Sequence, residues 1–161
     1  MYSLKMRNKD RLWFKGLNFH RGNDLPAIEY GCGDKEWYRN GYCHRDNDLP
    51  AVVLKNGTRH WYKNGKRHRD NDLPALILMT GEPYWYKNDN SYSLILHENG
   101  TKEYYNNLNE LHREDGPSII YSNGDVEYWQ RGRRHRKNGP AVIIGNKQYW
   151  FEYGEFVKCI V

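Results

Sequence analysis

The feature that most constrains this chain is a pair of adjacent aromatic residues that recurs at nearly constant intervals. The pairs are Trp13-Phe14, Trp37-Tyr38, Trp61-Tyr62, Trp85-Tyr86, Tyr104-Tyr105, Tyr128-Trp129 and Tyr149-Trp150. Successive pairs are separated by 24, 24, 24, 19, 24 and 21 residues. Six of the pairs are preceded, four positions earlier, by a glycine: Gly33, Gly57, Gly81, Gly100, Gly124 and Gly145. A fixed period of this length is the signature of a repeat architecture, so the chain is predicted to be an array of short structural repeats.

Two further motifs keep the same period. His-Arg recurs at 20–21, 44–45, 68–69, 112–113 and 135–136. Proline followed by a small residue recurs at 26–27, 50–51, 74–75, 117–118 and 140–141. The fourth repeat departs from the pattern, because the chain after Trp85-Tyr86 lacks both motifs and is five residues shorter, 19 instead of 24.

Each repeat is predicted to contain two short strands. In the repeat that contains Trp61, the first strand is predicted at Ala51 to Lys55, a segment that is apolar and β-branched but too short for an independent helix. Asn56-Gly57 predicts a two-residue hairpin in which both residues have positive φ. Thr58 to Lys63 would then form the second strand, with Trp61 and Tyr62 on opposite faces, before Asn64-Gly65 turns the chain again. The repeats therefore predict an all-β protein, an elongated single-layer antiparallel sheet about 60 Å long if about thirteen strands lie side by side.

The segment from Trp61-Tyr62 through Asn64-Gly65 and His68-Arg69 to Pro74-Ala75 and Gly81 resembles a MORN repeat. The resemblance extends over residues 13–153, with His-Arg where that family usually has His-Gly and with an inserted Asp-Asn-Asp-Leu-Pro-Ala in the first repeats. This variant is similar to arrays in large DNA viruses of protists and in some bacteria and phages. The resemblance implies a MORN-like hairpin-repeat solenoid, a twisted sheet with a groove along one side, and a role as a minor virion or assembly protein if the viral likeness holds.

The domain organisation predicted is one repeat domain over residues 1–161. Residues 1–12 would cap the first repeat, residues 13–153 would form six to seven hairpin units, and residues 154–161 would add a cap strand at the end. In such an array each repeat contacts mainly its neighbours, so stability is expected to be nearly additive along the chain.

Composition agrees with a thin, polar sheet. Hydrophobic residues make up 38% of the chain, aromatic residues 15%, and the net charge is +5. No apolar run approaches the length of a membrane span, and residues 1–10 contain Lys5, Arg7 and Lys9 without an apolar stretch behind them. Three cysteines without a CxxC motif indicate neither a disulfide framework nor a zinc site. We therefore expect a protein that is not secreted, located in the cytoplasm or, if viral, in the host cytoplasm or virion.

The aromatic pairs allow two interpretations. Their recurrence in every repeat favours cross-strand packing, each ring lying on the equivalent ring one hairpin away. Alternatively, the second member of the pair lines an exposed groove that recognises bases, sugars or lipid headgroups. The candidate interaction residues are Tyr38, Tyr62, Tyr86 and Tyr105.

The His-Arg motifs also allow several interpretations. Equivalent histidines on successive repeats would lie about 10 Å apart, too far to share a zinc ion whose ligands lie about 2 Å away, so no metal or cofactor is predicted. Acidic residues follow each of the first motifs, as Asp46 and Asp48 follow Arg45, and would neutralise much of the charge. Hydrogen bonds across turns and ion pairs between repeats are the favoured role.

A basic run near the end of the chain is the candidate for contact with nucleic acid. Its charged members are Arg131, Arg133, Arg134, Arg136 and Lys137. Uncompensated charge of this kind suits a phosphate backbone, so the alternative function is a nucleic-acid-binding module, or an inhibitor of a host factor. Contact with a membrane surface would need exposed aromatic residues beside basic ones and is the less favoured partner.

No catalytic motif is present, and an enzyme is not predicted. The sequence lacks GxSxG, GxxxxGK[ST], HExxH and GxGxxG. Cys43 and His44 are adjacent, but adjacent residues of a strand point to opposite faces and cannot act together.

The last segment of the chain is its most apolar stretch. An open sheet leaves unpaired N–H and C=O groups on its edge strands, which favours association. Phe156, Val157, Ile160 and Val161 are therefore predicted to cap the last hairpin or to form a self-association edge. The sequence thus predicts a non-catalytic repeat scaffold that binds a protein partner or a second copy of itself.

Overall fold

The structure, a computed structural model, describes all residues 1–161. The protein is all-β: its regular elements are twenty-two strands, and it contains no helix. Accordingly, no helical segment is available that could cross a lipid bilayer.

The chain divides into two compact units, residues Met1–Ser91 and Tyr92–Val161. The division falls at the shortened fourth repeat. The strands of the first unit are β1 (Tyr2–Arg7), β2 (Asp10–Lys15), β3 (Asn18–Phe19), β4 (Ile28–Glu29), β5 (Lys35–Glu36), β6 (Tyr38–Arg39), β7 (Tyr42–Cys43), β8 (Val52–Val53), β9 (Arg59–His60), β10 (Tyr62–Lys63), β11 (Lys66–Arg67), β12 (Leu76–Ile77) and β13 (Pro83–Lys87).

The remaining strands follow from residue 90 onward. They are β14 (Asn90–Leu96), β15 (Lys102–Tyr105), β16 (Ile119–Ile120), β17 (Val126–Glu127), β18 (Trp129–Gln130), β19 (Arg133–Arg134), β20 (Val142–Ile144), β21 (Lys147–Glu152) and β22 (Glu155–Ile160). β14 begins two residues before the second unit and pairs with β15 from Ser93 to Leu96.

Within the first unit an antiparallel sheet runs in the order β1-β2-β4-β5-β8-β9-β12-β13. In the second unit the order is β14-β15-β16-β17-β20-β21-β22. The pairs β6-β7, β10-β11 and β18-β19 are short hairpins beside these sheets. The all-β antiparallel class expected from the repeats is therefore confirmed.

The two kinds of Asn-Gly turn differ, and one expectation was wrong. Asn64-Gly65 is a two-residue turn with φ of 52° and 83° between paired Lys63 and Lys66, as predicted. Asn56, by contrast, does not have a positive φ, and only Gly57 does, at 95°. Leu54 N–H donates to Thr58 O and Gly57 N–H to Leu54 O, each at 2.9 Å, which makes a three-residue loop ending in a left-handed glycine.

The Asn56 side chain explains why asparagine suits this second kind of turn. Its Oδ1 accepts a hydrogen bond of 2.9 Å from the backbone N–H of Thr58, two residues on. Asparagine is a common turn residue because its side chain can make this local bond. The two-residue Asn-Gly signal therefore described one turn of each repeat and not the other.

The buried residues lie along the repeat rather than in one centre. The buried apolar side chains of the first unit are Ala27, Ile28, Trp37, Ala51, Trp61, Ala75 and Leu76. Those of the second unit are Tyr104, Ile119, Ala141 and Val142. The alanine after each proline is 0% exposed at positions 27, 51, 75 and 141, which explains why a small residue recurs there.

Candidate functional site

The His-Arg motif places an arginine over the first aromatic ring of its own repeat. The guanidinium carbon of Arg45 lies 3.9 Å from the centre of the Trp37 ring. The Nε and Nη2 atoms of Arg45 donate to both carboxylate oxygens of Asp24, at 2.8 and 2.7 Å, and Nη1 donates to Pro50 O at 3.3 Å. Because Asp24 belongs to the preceding connecting loop, the arginine links two repeats.

The next repeat makes the same set of contacts. Arg69 stacks on Trp61 at 4.0 Å, binds both oxygens of Asp48 at 2.8 and 2.7 Å, and donates to Pro74 O at 3.3 Å. The same stacking of an arginine on an aromatic ring occurs for Arg21 on Trp13, Arg113 on Tyr104 and Arg136 on Tyr128, at 3.6, 3.9 and 3.8 Å.

The aromatic residues do not pack as the sequence predicted. No ring contact joins two tryptophans; an arginine covers the indole instead. The indole N–H of Trp37 donates to Asp24 O at 3.0 Å, and that of Trp61 donates to Asp48 O at 2.9 Å. The prediction that equivalent rings stack was wrong. The arginine of the His-Arg motif covers the face of the indole, and a carbonyl of the preceding connecting loop accepts its N–H.

The histidines of the motif join consecutive repeats, as predicted. His44 Nδ1 accepts a hydrogen bond from the backbone N–H of Asn64 at 3.1 Å, and His68 Nδ1 accepts one from Asn88 at 3.3 Å. His20, His112 and His135 make the equivalent bonds to Asn40, Arg131 and Tyr153. An accepting Nδ1 places the proton of the neutral ring on Nε2.

That Nε2 proton is donated to an aspartate in the first unit. His44 Nε2 lies 3.0 Å from Asp46, and His68 Nε2 lies 2.8 Å from Asp70. Hydrogen bonds from Lys63 and His68 lower the pKa of Asp70 to about 2. Both ring nitrogens of these histidines are therefore engaged, which leaves neither free as a catalytic base.

The candidate tyrosines lie on the other side of the strand from the tryptophans and are half-buried. Each one is beside the residue two positions earlier: Tyr62 lies 6.4 Å from the ring of His60, and Tyr105 donates to Glu103 at 2.7 Å. Tyr38 packs 5.3 Å from Phe19, and burial together with Glu36 raises its pKa well above the ordinary value. The four candidate tyrosines, here called the tyrosine row, are therefore partly covered by neighbouring side chains and do not form a continuous open surface.

Cys43 lies in the same row and is not activated. Burial, with a smaller effect of Glu36, raises the pKa of its thiol to about 12. Its Sγ lies 4.0 Å from Ala51 O, and the ring of His44 is bound to Asn64 and Asp46. The structure thus separates the two adjacent residues, as expected for a strand.

Sequence reasoning missed the contacts of one cation in this row, Arg67, with two of the tyrosines. The Arg67 guanidinium lies 5.7 Å from the ring of Tyr62 and 4.6 Å from that of Tyr86, and Nη2 donates to the Tyr62 hydroxyl at 3.3 Å. Arg67 Nε and His60 Nδ1 are buried without a hydrogen-bond partner. The equivalent position is Cys43 one repeat earlier, so the repeat pattern gave no signal for it.

The structure divides the basic run into engaged and exposed members. Arg134 donates to Glu127 at 2.9 Å, and Glu127 is 5% exposed. Arg136 is stacked on Tyr128. Arg131, Arg133 and Lys137 are exposed, so three of the five candidate cations remain open to a partner.

The candidate self-association residues lie on an exposed edge strand. β22 pairs with β21 on one side only, and all six of its residues are exposed. Phe156, Val157, Ile160 and Val161 are 59%, 56%, 50% and 87% exposed. The strand was predicted from its apolar sequence, and the structure adds that its second edge is unpaired within this chain.

No three His, Cys, Asp or Glu side chains come together as metal ligands. Comparison of the chain with protein-family models, with curated proteins and with solved structures finds no match.

Proposed function

We propose that this protein is a non-catalytic repeat scaffold that assembles by adding the edge strand of one copy to that of another. The observation that carries the proposal is β22, an exposed six-residue edge strand that contains exposed Phe156, Val157 and Ile160 and is followed by exposed Val161. Such an edge offers unpaired backbone N–H and C=O groups, which favour the addition of a further strand.

The partner we propose for β22 is β1 of a second copy. β1 is also six residues long, pairs only with β2, and is exposed throughout. Tyr2, Leu4 and Met6 alternate along it and are 61%, 52% and 60% exposed. An antiparallel register that places Tyr2 opposite Ile160 brings these two apolar side chains together on one face. The pairing of β22 with β21 shifts between Trp150 and Phe151, so Phe156 lies on the other face of the sheet from Ile160.

The charges of the two strands favour the same pairing. In that register Leu4 lies opposite Lys158, so neither cation of β1, Lys5 or Arg7, is placed opposite a like charge there. Two β1 strands paired with each other along their edges would instead bring like charges together. A β1–β22 contact joins different surfaces of the two copies, so repeated contacts of this kind would form a chain of copies or a closed ring.

The proposal that the protein is not an enzyme is supported by the state of its reactive side chains. His44 and His68 use both ring nitrogens in hydrogen bonds, and burial raises the pKa of Cys43 to about 12. A thiol of this pKa is almost entirely protonated near neutral pH and is a poor nucleophile.

Two blocked variants test the assembly by sedimentation velocity. Leu4→Lys with Met6→Lys blocks β1, and Val157→Lys with Ile160→Lys blocks β22. We expect the unsubstituted protein to form oligomers that grow with concentration, each variant alone to be monomeric, and an equimolar mixture to form one-to-one dimers. Leu108→Lys, at an apolar residue that is 74% exposed away from both edges, should behave as the unsubstituted protein.

Each contrary outcome has a definite meaning. A dimer formed by the β1-blocked variant alone would show that β22 pairs with itself, contradicting β1 as its partner. A protein that stays monomeric at all concentrations, or oligomers unchanged in both variants, would contradict assembly through the edges.

A further inference from the structure

The grooves between consecutive connecting loops differ between the two units. In the first unit, the groove between the loops that follow His20 and His44 has a volume of about 380 Å³, and the next one, between the loops that follow His44 and His68, about 250 Å³. The corresponding groove in the second unit, here called the loop groove, has about 720 Å³ and lies between residues 112–116 and 135–138. The difference has a specific origin in the side chains that bridge each groove.

In the first unit a carboxylate of one loop binds the arginine of the next. Asp24 accepts two hydrogen bonds from Arg45, and Asp48 accepts two from Arg69. The Nε–Nη2 edge of each guanidinium is therefore occupied by a planar oxyanion of the protein itself. This pairing is the arrangement by which arginine best recognises carboxylate and phosphate groups.

Arg136 has the same setting without the carboxylate. It stacks on Tyr128 at 3.8 Å and donates Nη1 to Pro140 O at 3.4 Å, but it makes no ion pair and no hydrogen bond through Nε or Nη2. Asp115, which stands two residues before its proline as Asp48 does, pairs with Arg113 of its own loop at 3.4 Å. The aspartate of the loop that precedes Arg136 is therefore paired within its own loop.

Gly139 helps to hold the guanidinium in this position. A Cβ at Gly139, where φ is 140°, would lie 3.2 Å from Nη1 of Arg136, which is tighter than ordinary contact. The guanidinium is thus packed between the Tyr128 ring and the glycine backbone. A side chain fixed in this way loses little conformational entropy when it binds a ligand.

The second acid of the repeat is also replaced. After His44-Arg45 and His68-Arg69 come Asp46 and Asp70, whereas Lys137 follows His135-Arg136. His135 Nδ1 accepts the N–H of Tyr153 at 3.3 Å, so the Nε2 proton is available as a donor. Glu114 at the rim of the groove is exposed and makes no ion pair.

We propose that the loop groove binds the phosphate group of a phosphate monoester. The phosphate oxygens would take the position relative to Arg136 that the Asp24 carboxylate takes relative to Arg45. The groove offers two cations, Arg136 and Lys137, and the N–H of His135, whereas in the first unit a single arginine binds each aspartate. This set of donors suits a group of charge −1.5 to −2 better than a single carboxylate or a phosphodiester. No residue that lines the groove belongs to β1 or β22, so the proposal is independent of assembly through those strands.

The test is a titration of the 15N-labelled protein, followed by amide NMR, with inorganic phosphate and with phenyl phosphate at ionic strength held constant by chloride. We expect saturating shifts confined to residues 113–116 and 135–138 with both probes. Arg136→Gln should weaken binding at least about tenfold, since a charge-assisted hydrogen bond is lost. Arg133→Gln, the matched control at an exposed arginine, should leave the affinity unchanged.

Lys137→Asp provides the second variant. It restores the His-Arg-Asp sequence found at 44–46 and 68–70, so it is expected to fold and to abolish binding by giving His135 an acidic partner. Saturation with phenyl phosphate but not with phosphate ion would assign the site to esters bearing an organic group, and saturation with both would include the free ion.

Three results would overturn the proposal. The first is shifts that do not saturate, or that weaken equally in Arg133→Gln. The second is unchanged binding by a folded Lys137→Asp variant. The third is an oligonucleotide without a terminal phosphate that shifts the same amides with equal or greater affinity, because this would show that a phosphodiester backbone is the ligand.

Discussion

At the residue scale, one arginine performs three tasks in the second and third repeats, Arg45 in one and Arg69 in the other. Arg69 covers the face of Trp61, binds both oxygens of Asp48 in the preceding loop, and donates to Pro74 O in its own loop. A lysine could supply the charge, but it has neither the planar face nor the paired N–H edge. The His-Arg motif is therefore explained by geometry more than by charge.

The contribution of this arginine can be measured in a double-mutant cycle. Arg69→Lys is expected to lower the free energy of unfolding by about 1–2 kcal/mol, from the lost stacking and bidentate bonds, with the Asp48 carboxylate itself largely exposed. Asp48→Asn should cost less, and the double variant should show coupling between the two positions in urea denaturation. Arg59→Lys, at an exposed arginine of the neighbouring strand, is the control; an equal loss there would contradict the assignment.

The lowered pKa of Asp70 predicts a dependence of stability on acid pH. Its pKa falls from 3.8 to about 2 on folding, through bonds from Lys63 and His68. A depressed pKa in the folded state means that the contribution is fully present above the unfolded value and is lost as the pH falls towards 2. Asp70→Asn should flatten the decline of the urea midpoint between pH 4 and pH 2. Glu98→Gln, at an exposed carboxylate without an ion pair, should leave that decline unchanged. Equal slopes in the two variants would refute the assignment of this pH dependence to Asp70.

At the element scale, the short hairpins depend on pairs of residues with positive φ. Asn40, Asn64 and Asn88 begin three of these turns, at φ of 50°, 52° and 50°. Arg131 begins the equivalent turn of the second unit at φ 50°, where a long side chain is less favourable than asparagine. The turn persists there because Arg131 N–H is held by His112 Nδ1 at 3.4 Å, as the other turns are held by their histidines.

This strain predicts a stabilising substitution. Arg131→Asn should raise the free energy of unfolding by about 0.5–1 kcal/mol, because asparagine adopts the left-handed conformation at lower cost and keeps the same backbone hydrogen bond. Gln130→Asn, one residue earlier on β18 and equally exposed, should give no gain. A loss of stability on Arg131→Asn would show that the arginine side chain has a structural contact that outweighs the backbone strain.

At the scale of the whole molecule, little of the chain is deeply buried. Tyr104 is the only large aromatic or aliphatic side chain below 2% exposure, and the other buried apolar residues are distributed along the repeats. The stabilising contacts are correspondingly polar: arginine with aspartate, histidine with backbone N–H, and indole with carbonyl. Apolar burial gives rise to the heat capacity of unfolding, so a sheet of this kind should have a low one.

Differential scanning calorimetry checks this expectation. A chain of this length with average burial would show a heat-capacity change of about 1.9–2.4 kcal/mol/K, from 12–15 cal/mol/K per residue. We expect a value clearly below that range for the unsubstituted protein, with the edge-blocked variants measured alongside so that dissociation of oligomers does not contribute. A value inside the range would indicate that more apolar surface is buried than the described contacts provide.

The sequence by itself determined the period of the repeat, the all-β class and the Asn64-Gly65 turn. The predicted two-stranded unit was wrong in one respect, because the second strand, Thr58 to Lys63, is divided into β9 and β10, and β10 pairs with β11 outside the main sheet. Alternation of apolar runs, Asn-Gly turns and a proline at fixed positions is a local pattern, and each of these features acts within a few residues of itself. The exposed apolar edge at Phe156 to Val161 was predictable for the same reason. The role of the His-Arg motifs in linking repeats was also foreseen, because their period matched that of the turns.

Only the tertiary structure decided which partner each side chain takes one repeat away. Asp48 was expected to neutralise its neighbour Arg45, but it binds Arg69, 21 residues later, because the folded loops bring those two groups together. In the same way an arginine, and not a second indole, covers Trp13, Trp37 and Trp61. Arg136 is left without the carboxylate that Arg45 and Arg69 have. Contacts between repeats depend on the separation and direction of side chains in space, and the spacing of residues along the chain does not specify either.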